Sequence, residues 1–530
     1  MVMLMPSEII PLLYIGNRDE SIHFQGAVID CLFTEGELRE EILEGLLEKI
    51  HRYRGQGIPV MAACENGIDR SPTVVMHYLV RKVGMSQDEA IKLIKQKRPV
   101  ANPHPEWQIK KSVKIVEDKI IEKQKHSFLW YDTGLSVDHA IQLGKQGHAV
   151  HYFVEYRTRY PKIEDFLPGY GFKEINKVFD YGEVLDSVET IVFVDVGFGS
   201  LADLLRKKGY AVFGASAKGE LLELDRIFML REFEKLGIDV PKHQIVRGVD
   251  NLFNVVGSGD KFVKLNIFRG NFETMYVKTP SELKVDLEFG NFGVILEDMD
   301  FIVTEPLKGV EVGIDTLFNG KEFLRPLNEG NEVKGTGAQF NRYADSSEVW
   351  DGVLEKLAPW LAKTGYRGAL SLEGIYDGSK ISVIDVTARL FFPGSSIYPA
   401  VLENYADVIY AVARGEYVKP RFSHKYYSLV TVSRTNADKW TKINFSPELA
   451  WKSVFIPRGA VFMNGEYWSC PGDSIVATIV GRGNTFDESI AELEAVSDKV
   501  KGRDCDVGIE GIYRYKKDYL TELKELGIVW

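Results

Sequence analysis

The stretch that most limits what this chain can become is Ala63-Cys64-Glu65-Asn66-Gly67-Ile68-Asp69-Arg70-Ser71-Pro72, in which a cysteine and an arginine bracket a short loop containing glycine. The apolar run Ile58-Pro-Val-Met-Ala-Ala-Cys64 predicts a strand before it, and Pro72-Thr-Val-Val-Met-His-Tyr-Leu-Val-Arg-Lys82 predicts a helix after it. A loop that wraps into a helix N-terminus collects unpaired backbone N–H groups and the positive end of the helix dipole, so it binds an anion. The same field favours the thiolate form of Cys64, which is the nucleophile. Arg70 can hold two oxygens of a phosphoryl group in a bidentate fork. Pro72 at the first helical position gives up only an N–H that the helix leaves unpaired anyway. The plainer alternative is a buried cysteine with a solvated arginine nearby. The strand before, the glycine within and the Ser-Pro after favour a phosphate loop.

These residues resemble the dual-specificity members of the protein tyrosine phosphatases. Glu8-Ile-Ile-Pro-Leu-Leu-Tyr-Ile-Gly16 is similar to that family's first strand, and Lys97-Arg-Pro-Val-Ala-Asn102 with Trp107-Gln108 is similar to its closing segment. The resemblance covers residues 1–125 and implies a phosphocysteine intermediate on Cys64, phosphate binding by Arg70, and Ser71 easing the departure of the thiolate. Two departures stand out. The family's usual His before the cysteine is Ala63, and the window for its general-acid aspartate holds Cys31, Leu32 and Phe33. Asp30, Glu35 and Glu37 are the nearest carboxyls. Proton donation to a leaving group is worth roughly 10²–10⁴-fold, so a slow phosphatase or a phosphate-binding module is the alternative reading.

At 530 residues the chain has room for three or four domains, and the phosphate-loop region takes under a quarter of it. Hydrophobic residues at 45% and charged residues at 27% are ordinary for a soluble globular protein. The most apolar run, Thr190-Ile-Val-Phe-Val, is interrupted at once by Asp195, which argues against a membrane span. The opening Met-Val-Met-Leu-Met-Pro lacks a basic n-region, so a cytoplasmic setting is expected. Cys31, Cys64, Cys470 and Cys505 lie far apart without a Cys-x-x-Cys, which speaks against a disulfide scaffold or zinc. A formal net charge of −11 lends nothing to a nucleic-acid face.

Beyond a charged helix expected over Lys110–Lys125, strand-like and helix-like segments alternate, which indicates an open parallel α/β sheet. Gly134 and Gly197-Phe-Gly199 fall short of Gly-x-Gly-x-x-Gly and read as structural turns, with nucleotide loops as the alternative. His139, His148 and His151 lack metal-ligand spacing. A second chemical constellation begins at Tyr366-Arg-Gly-Ala-Leu-Ser-Leu-Glu-Gly374, a strand carrying Glu373. The turn Tyr376-Asp-Gly-Ser-Lys380 predicts a hairpin into Ile381–Leu390, with Asp385, Thr387 and Arg389 on one face. That pairing brings Glu373 beside Asp385. Two adjacent carboxylates are costly unless a cation sits between them, and hard oxygen ligands choose Mg²⁺. The alternative is an ordinary sheet surface with a salt bridge.

Glu373, Asp385, Thr387 and Arg389 stand at the spacing of the Glu…Glu-x-Asn-x-Arg metal signature of ATP-grasp enzymes, and other segments are similar to that family in the same order. Phe213-Gly-Ala-Ser216, Glu223-Leu-Asp-Arg226 and Phe233–Pro241 resemble the start of the fold. Lys261-Phe-Val-Lys264 resembles the strand whose lysine touches ATP phosphates, and Val303-Thr-Glu-Pro-Leu-Lys-Gly-Val-Glu311 resembles the adenine hinge. Residues 128–530 look most like the phosphoribosylamine–glycine ligases, supported by Pro399–Asp407 and Asp473–Ser489. The resemblance implies ATP contacts at Arg226, Lys264, Glu305, Leu307 and Glu311, metal ligands at Glu373, Asp385 and Thr387, and Arg389 near the acceptor. Arg226 replaces a lysine, Asp385 is shorter than Glu, and Thr387 replaces an asparagine ligand. The loop Leu265–Asn271 is poor in glycine for a phosphate lid, and the purine-pathway substrate loop is only echoed in Lys334-Gly-Thr-Gly-Ala338.

The expected architecture is α/β and α+β multidomain. A phosphatase-like domain at 1–125 precedes an ATP-grasp module made of a Rossmann-like domain at 126–220, an ATP-grasp domain at 221–420 and a β-rich C-terminal domain at 421–530. The expected activity is bifunctional. An ATP- and Mg²⁺-dependent ligase joins a small-molecule carboxylate to an amine through an acyl phosphate, beside a cysteine-dependent phosphatase whose phosphoester substrate could be nucleotide-like. The alternative is a nucleotide- and phosphate-binding scaffold with both sites eroded.

Overall fold

The computed structural model describes residues 6–17, 20, 24–31, 38–64, 66–105, 109–110, 126–154, 167–257, 259–266, 274–289, 297–333, 336–502 and 504–528. Most of the helix expected over Lys110–Lys125 lies outside them, as do Glu35, Glu37, Trp107, Gln108, Lys334 and residues 267–271 of the expected lid. The chain forms two compact units, Met1–Ile121 and Glu122–Trp530. No helix among the described residues is long and apolar enough to cross a membrane.

The first unit is built on a four-stranded sheet: β1 (Ser7–Ile10), β2 (Leu13–Asn17), β3 (Ala27–Asp30) and β4 (Val60–Cys64), in the order β1-β2-β4-β3. β4 runs parallel to both β2 and β3, and all five of its residues are buried. The strand starts two residues later than the apolar run suggests because Pro59 has no N–H for the ladder. Helices α1 (Glu40–Gly55), α2 (Arg70–Tyr78) and α3 (Gln87–Lys97) surround it. α2 is buried from Ser71 to Tyr78, so its apolar residues need no single face. It begins at Arg70, which leaves Pro72 within the first turn, where a missing N–H still costs nothing. Its N-cap, Asp69, makes no side-chain cap. α3 opens on a capping box between Ser86 and Glu89.

The second unit opens with a five-stranded parallel sheet: β5 (Ser127–Asp132), β6 (Ala149–Val154), β7 (Asn176–Lys177), β8 (Thr190–Phe193) and β9 (Val212–Phe213), in the order β9-β8-β5-β6-β7. Both glycine turns at its strand ends are closed from within. The buried Asp132 carboxylate accepts N–H bonds from Thr133, Leu135 and Ser136 at 2.7, 2.8 and 3.1 Å. The Glu220 carboxylate accepts from Gly197 N and Gly199 N at 2.7 and 2.8 Å, at the start of the helix Gly199–Lys207.

Two further sheets carry the site. One is four-stranded, with β10 (His243–Arg247), β11 (Lys261–Leu265), β12 (Thr274–Val277) and β13 (Asp300–Thr304) in the order β10-β13-β11-β12. In the other, β14 (Val310–Phe318), β15 (Leu327–Val333), β16 (Ala338–Ala344), β17 (Gly368–Tyr376) and β18 (Ile381–Thr387) run in the order β18-β17-β14-β15-β16. That sheet continues without a break into Tyr426–Arg434 and Ile475–Gly483, so strands on both sides of residue 420 share it. An apolar core spans Phe128 to Tyr515 and joins the parallel sheet to the C-terminal strands. The β17–β18 hairpin turns on Asp377, whose carboxylate accepts from Ser379 N and Lys380 N and is held below its ordinary pKa by those bonds.

Candidate functional sites

In the first unit β4 delivers Cys64 to the carboxyl end of the parallel strands, and α2 presents Arg70 and Ser71 from the far side of the loop. Cys64 Sγ lies 3.2 Å from Ser71 Oγ, with both side chains buried. The loop reverses at Gly67 (φ 64°), where a Cβ would sit 2.6 Å from Arg98 Nη2 and 2.9 Å from the Gly16 carbonyl. Any other residue there would strain the backbone and displace its neighbours. Arg98, unassigned from sequence, fastens the loop from behind. Its Nε donates to Gly67 O at 3.0 Å, and Nη1 donates to Ile15 O at 3.4 Å and to Glu20 Oε2 at 3.1 Å. Arg98 and Glu20 are only 7% and 5% exposed, which makes this a buried ion pair.

A second brace joins Asp69 to His104, with Asp69 Oδ1 2.9 Å from His104 Nε2. His104 N also donates to Thr73 Oγ1 at 3.0 Å. The arrangement can seat a tetrahedral anion over a thiol at a helix N-terminus. Of Asp30 only the backbone is described, at the end of β3, and the other acid candidates, Glu35 and Glu37, lie outside the described residues.

In the second unit a cleft of about 500 Å³ opens between the two antiparallel sheets. Its apolar lining includes Met229, Phe262, Ile302, Leu307 and Ile375, which suits a flat aromatic base. Its polar lining gathers Arg226, Lys264, Glu305, Glu311, Glu373 and Asp385. β17 and β18 set Glu373 directly opposite Asp385, with a bulge just after Glu373. Arg226, 4% exposed at the head of its helix, donates through Nη1 to Leu265 O at 3.0 Å and through Nη2 to Asp385 Oδ2 at 3.4 Å. Lys264 Nζ donates to Ile384 O at 3.0 Å, beside Asp385. Glu305 pairs with Lys261 at 3.2 Å, and Tyr519 OH donates to Glu311 O.

The same face of the large sheet continues away from the cleft in two rungs. One runs Asp385, Glu373, Gly313, Gly330, Asn341, and the next runs Thr387, Ser371, Asp315, Asn328, Tyr343. Thr387 therefore lies one rung from the paired carboxylates and does not line the cleft. Asp315 was not singled out from sequence, although a carboxylate inside the apolar run of β14 was the available signal. Ser371 Oγ donates to it, and Asn328 Nδ2 donates at 3.3 Å. Burial pushes its pKa up to about 8, against the pull of Ser371 and with help from the charge of Glu373.

Arg389 is set elsewhere. The strand ends at Thr387, and the Arg389 Nε donates to Glu223 Oε1 at 2.9 Å and lies 3.2 Å from Asp195 Oδ1, outside the cleft lining. Among the described residues no three His, Cys, Asp or Glu side chains converge as a metal cage. A cation at Glu373 and Asp385 would need further oxygens from a bound molecule. That suits Mg²⁺, which keeps few protein ligands and takes the rest from water and phosphate.

A thiol at the end of a parallel strand, followed by a loop and a helix that opens on an arginine, is the layout of a cysteine-dependent phosphatase domain, and the cleft between two antiparallel sheets is that of the ATP-grasp fold. The comparisons agree with both classes. Residues 17–111 match the family model of the dual specificity phosphatase catalytic domain. Dual specificity protein phosphatase 1 of Arabidopsis thaliana is 37% identical over 77 residues, 14% of this chain and 39% of that protein. Dual specificity protein phosphatase 15 of Rattus norvegicus is 41% identical over 56 residues, 11% of this chain and 24% of that protein. The match thus spans between a quarter and two-fifths of these curated relatives.

Among solved structures, phosphoribosylamine–glycine ligase from Thermotoga maritima aligns with a TM-score of 0.54 at 18% identity, over 72% of this chain and 98% of that one. The biotin carboxylase domain of Hydrogenobacter thermophilus 2-oxoglutarate carboxylase, in complex with MgADP and bicarbonate, gives 0.54 at 13% identity over 76% and 99%. At these identities the likeness is one of fold.

Proposed function

We propose that the chain is a bifunctional enzyme: an ATP-dependent carboxylate–amine ligase fused to a cysteine-dependent phosphatase. The observation that carries the ligase reading is the cleft in which Lys264 and Arg226 stand beside the opposed carboxylates Glu373 and Asp385. The apolar lining around Phe262 and Leu307 takes the adenine, with Glu305 and Glu311 at the hinge. Lys264 and Arg226 neutralise charge spreading over the transferred phosphoryl group, and Arg226 also orients Asp385. Glu373 and Asp385 would hold Mg²⁺, with Thr387 one rung away; bound there, the ion neutralises phosphate oxygens. The carboxylate substrate becomes an acyl phosphate, which an amine attacks to give an amide, ADP and phosphate. Arg389, whose Nε is shared by Glu223 and Asp195, stands near the acceptor carboxylate.

In the first unit Cys64 attacks a phosphoester, the loop amides and Arg70 hold the phosphoryl oxygens, and Ser71 supports the leaving thiolate through its 3.2 Å contact. The presence of two phosphate-handling sites in one chain supports a nucleotide-like phosphoester as substrate.

The test is to incubate the protein with Mg-ATP and a panel of amino acids and nucleotide amines, and to follow ADP by chromatography beside Asp385→Ala. Amine-dependent ADP that disappears in the variant is the expected result. Failure to bind ATP at all would overturn the ligase reading and leave a scaffold.

A further inference from the structure

Asp315 on β14 is 8% exposed, and among the described residues no Lys, Arg or His pairs with it. A buried carboxylate without a counter-charge is costly, and the charge of Glu373 adds to the cost. Its partners are neutral donors: Ser371 Oγ, Asn328 Nδ2 at 3.3 Å and Asn341 Nδ2 at 3.5 Å. Gly330 makes room for the last of these, because a Cβ there would come within 2.4 Å of Asn341 Nδ2. Around this carboxylate three buried oxygens have no hydrogen-bond partner among the described residues: Asn328 Oδ1, Asn341 Oδ1 and Tyr343 OH. Tyr343 stands opposite Asn328 in the ladder, and Asn328 also bonds the Tyr398 phenol. A side cavity of about 10 Å³, lined by Asp315, Leu317, Asn328, Tyr398 and Phe422, adjoins them. That is the space of one water-sized occupant. Of its lining, Pro326 and Phe422 keep part of their surface exposed and mark the way in.

We propose that Asp315, Asn328, Asn341 and Tyr343 hold one monovalent cation of the size of potassium or ammonium, at a site distinct from the carboxylate pair Glu373 and Asp385. Amide and hydroxyl oxygens around a single carboxylate supply one negative charge and several dipoles, which replace the hydration shell of a weakly hydrated cation. Mg²⁺ demands a near-octahedral set and keeps several waters, for which a cavity of about 10 Å³ has no space. A proton on Asp315 neutralises the charge but donates to one oxygen, whereas a cation at the same point engages all three. Burial pushes the Asp315 pKa up to about 8, so proton and cation compete for the carboxylate. Two residues along a strand span ~6.7 Å, which sets the bound charge one rung from Glu373. There it relieves the repulsion between Glu373 and Asp315 without entering the cleft.

The experiment dialyses the full chain into choline chloride at about pH 8.5, above the Asp315 pKa of about 8, without Mg²⁺ or nucleotide. Thermal unfolding is followed as potassium, ammonium or sodium chloride replaces choline chloride at constant ionic strength, which holds general screening fixed. The expected result is a rise in Tm with potassium or ammonium that saturates and that Asp315→Asn lacks. Asp385→Ala should keep the rise, because the cleft carboxylates take no part. Thallium(I), a stand-in for potassium, soaked into crystals of the unaltered chain should give an anomalous peak beside Asp315. That measurement decides the matter if Asp315→Asn does not fold. The proposal is overturned by equal unfolding temperatures in every salt, by a rise with sodium alone, or by a rise that Asp315→Asn keeps or Asp385→Ala loses. A thallium peak only at Glu373 and Asp385 overturns it as well.

Discussion

Replacing Arg98 with methionine removes the cation that fastens the phosphate loop, and its cost can be worked from the contacts. The guanidinium bonds Gly67 O, Ile15 O and Glu20, and both charged partners are more than nine-tenths buried. Breaking a buried pair from one side strands the other charge, which costs about 3–5 kcal/mol. Glu20 keeps one bond, from Asn17 N at 2.9 Å, which places the expected loss within that range rather than above it. Peptide-resolved hydrogen exchange over residues 60–78 measures the opening free energy locally in the full chain. Arg98→Met should lower it by about 3–5 kcal/mol, and adding Glu20→Gln should recover part of the loss because no buried charge is then left over. A single variant within about 1 kcal/mol of wild type, or a double variant worse than the single, would refute the claim that a buried ion pair braces this loop.

Two further outcomes follow from the second unit. Arg389→Met takes a guanidinium from Asp195 and Glu223, but Glu223 still accepts from Ala388 N, and Asp195 from Val196 N and Thr133 Oγ1, so the loss in thermal or chemical unfolding should be roughly 1.5–3 kcal/mol. It should leave the Mg-ATP thermal shift unchanged, because the residue does not line the cleft; a lost shift would place Arg389 at the nucleotide. With the Asp315 carboxyl pushed up to about 8, the folded state keeps a proton that the unfolded chain releases above the ordinary carboxylate range. Its contribution is therefore complete at low pH and is lost as pH rises toward about 8, at up to ~1.4 kcal/mol per pH unit. Scanning calorimetry between about pH 5 and about pH 8 should show a shallower decline in Asp315→Asn than in wild type.

The parts of this molecule legible in sequence are those set by short-range patterning. Cys64, Gly67 and Arg70 sit in one loop whose flanks announce a strand and a helix, and the Asp377-Gly378 turn announces the β17–β18 hairpin. It takes the bulge after Glu373, which the pattern does not show, to shift the register and set Glu373 against Asp385. Arg389 shows where patterning stops. Period-two alternation carries Asp385 and Thr387 to one face, but the strand ends at Thr387, so the extrapolation to Arg389 fails. Arg98 and Glu20 are 78 residues apart, and nothing local couples them. Asp315 looks like a strand charge, and only the assembled sheet reveals that Ser371 and Asn328 close around it. Arg226, Lys264 and Glu311 lie far apart in sequence and line one cleft, legible only through the order of the motifs they belong to.

The Glu220 carboxylate held by Gly197 N and Gly199 N has a consequence for what the parallel sheet can accept. These amides and the helix start behind them form the cradle a phosphate would use. Here the occupant is covalently tethered, and a ligand on a short tether acts at an effective concentration of about millimolar or more. A dissolved phosphate must displace a competitor that never diffuses away. The loop thus works as a latch that fastens the Glu220 turn to the sheet, and Glu220→Ala would convert a fastening into a vacancy open to anions.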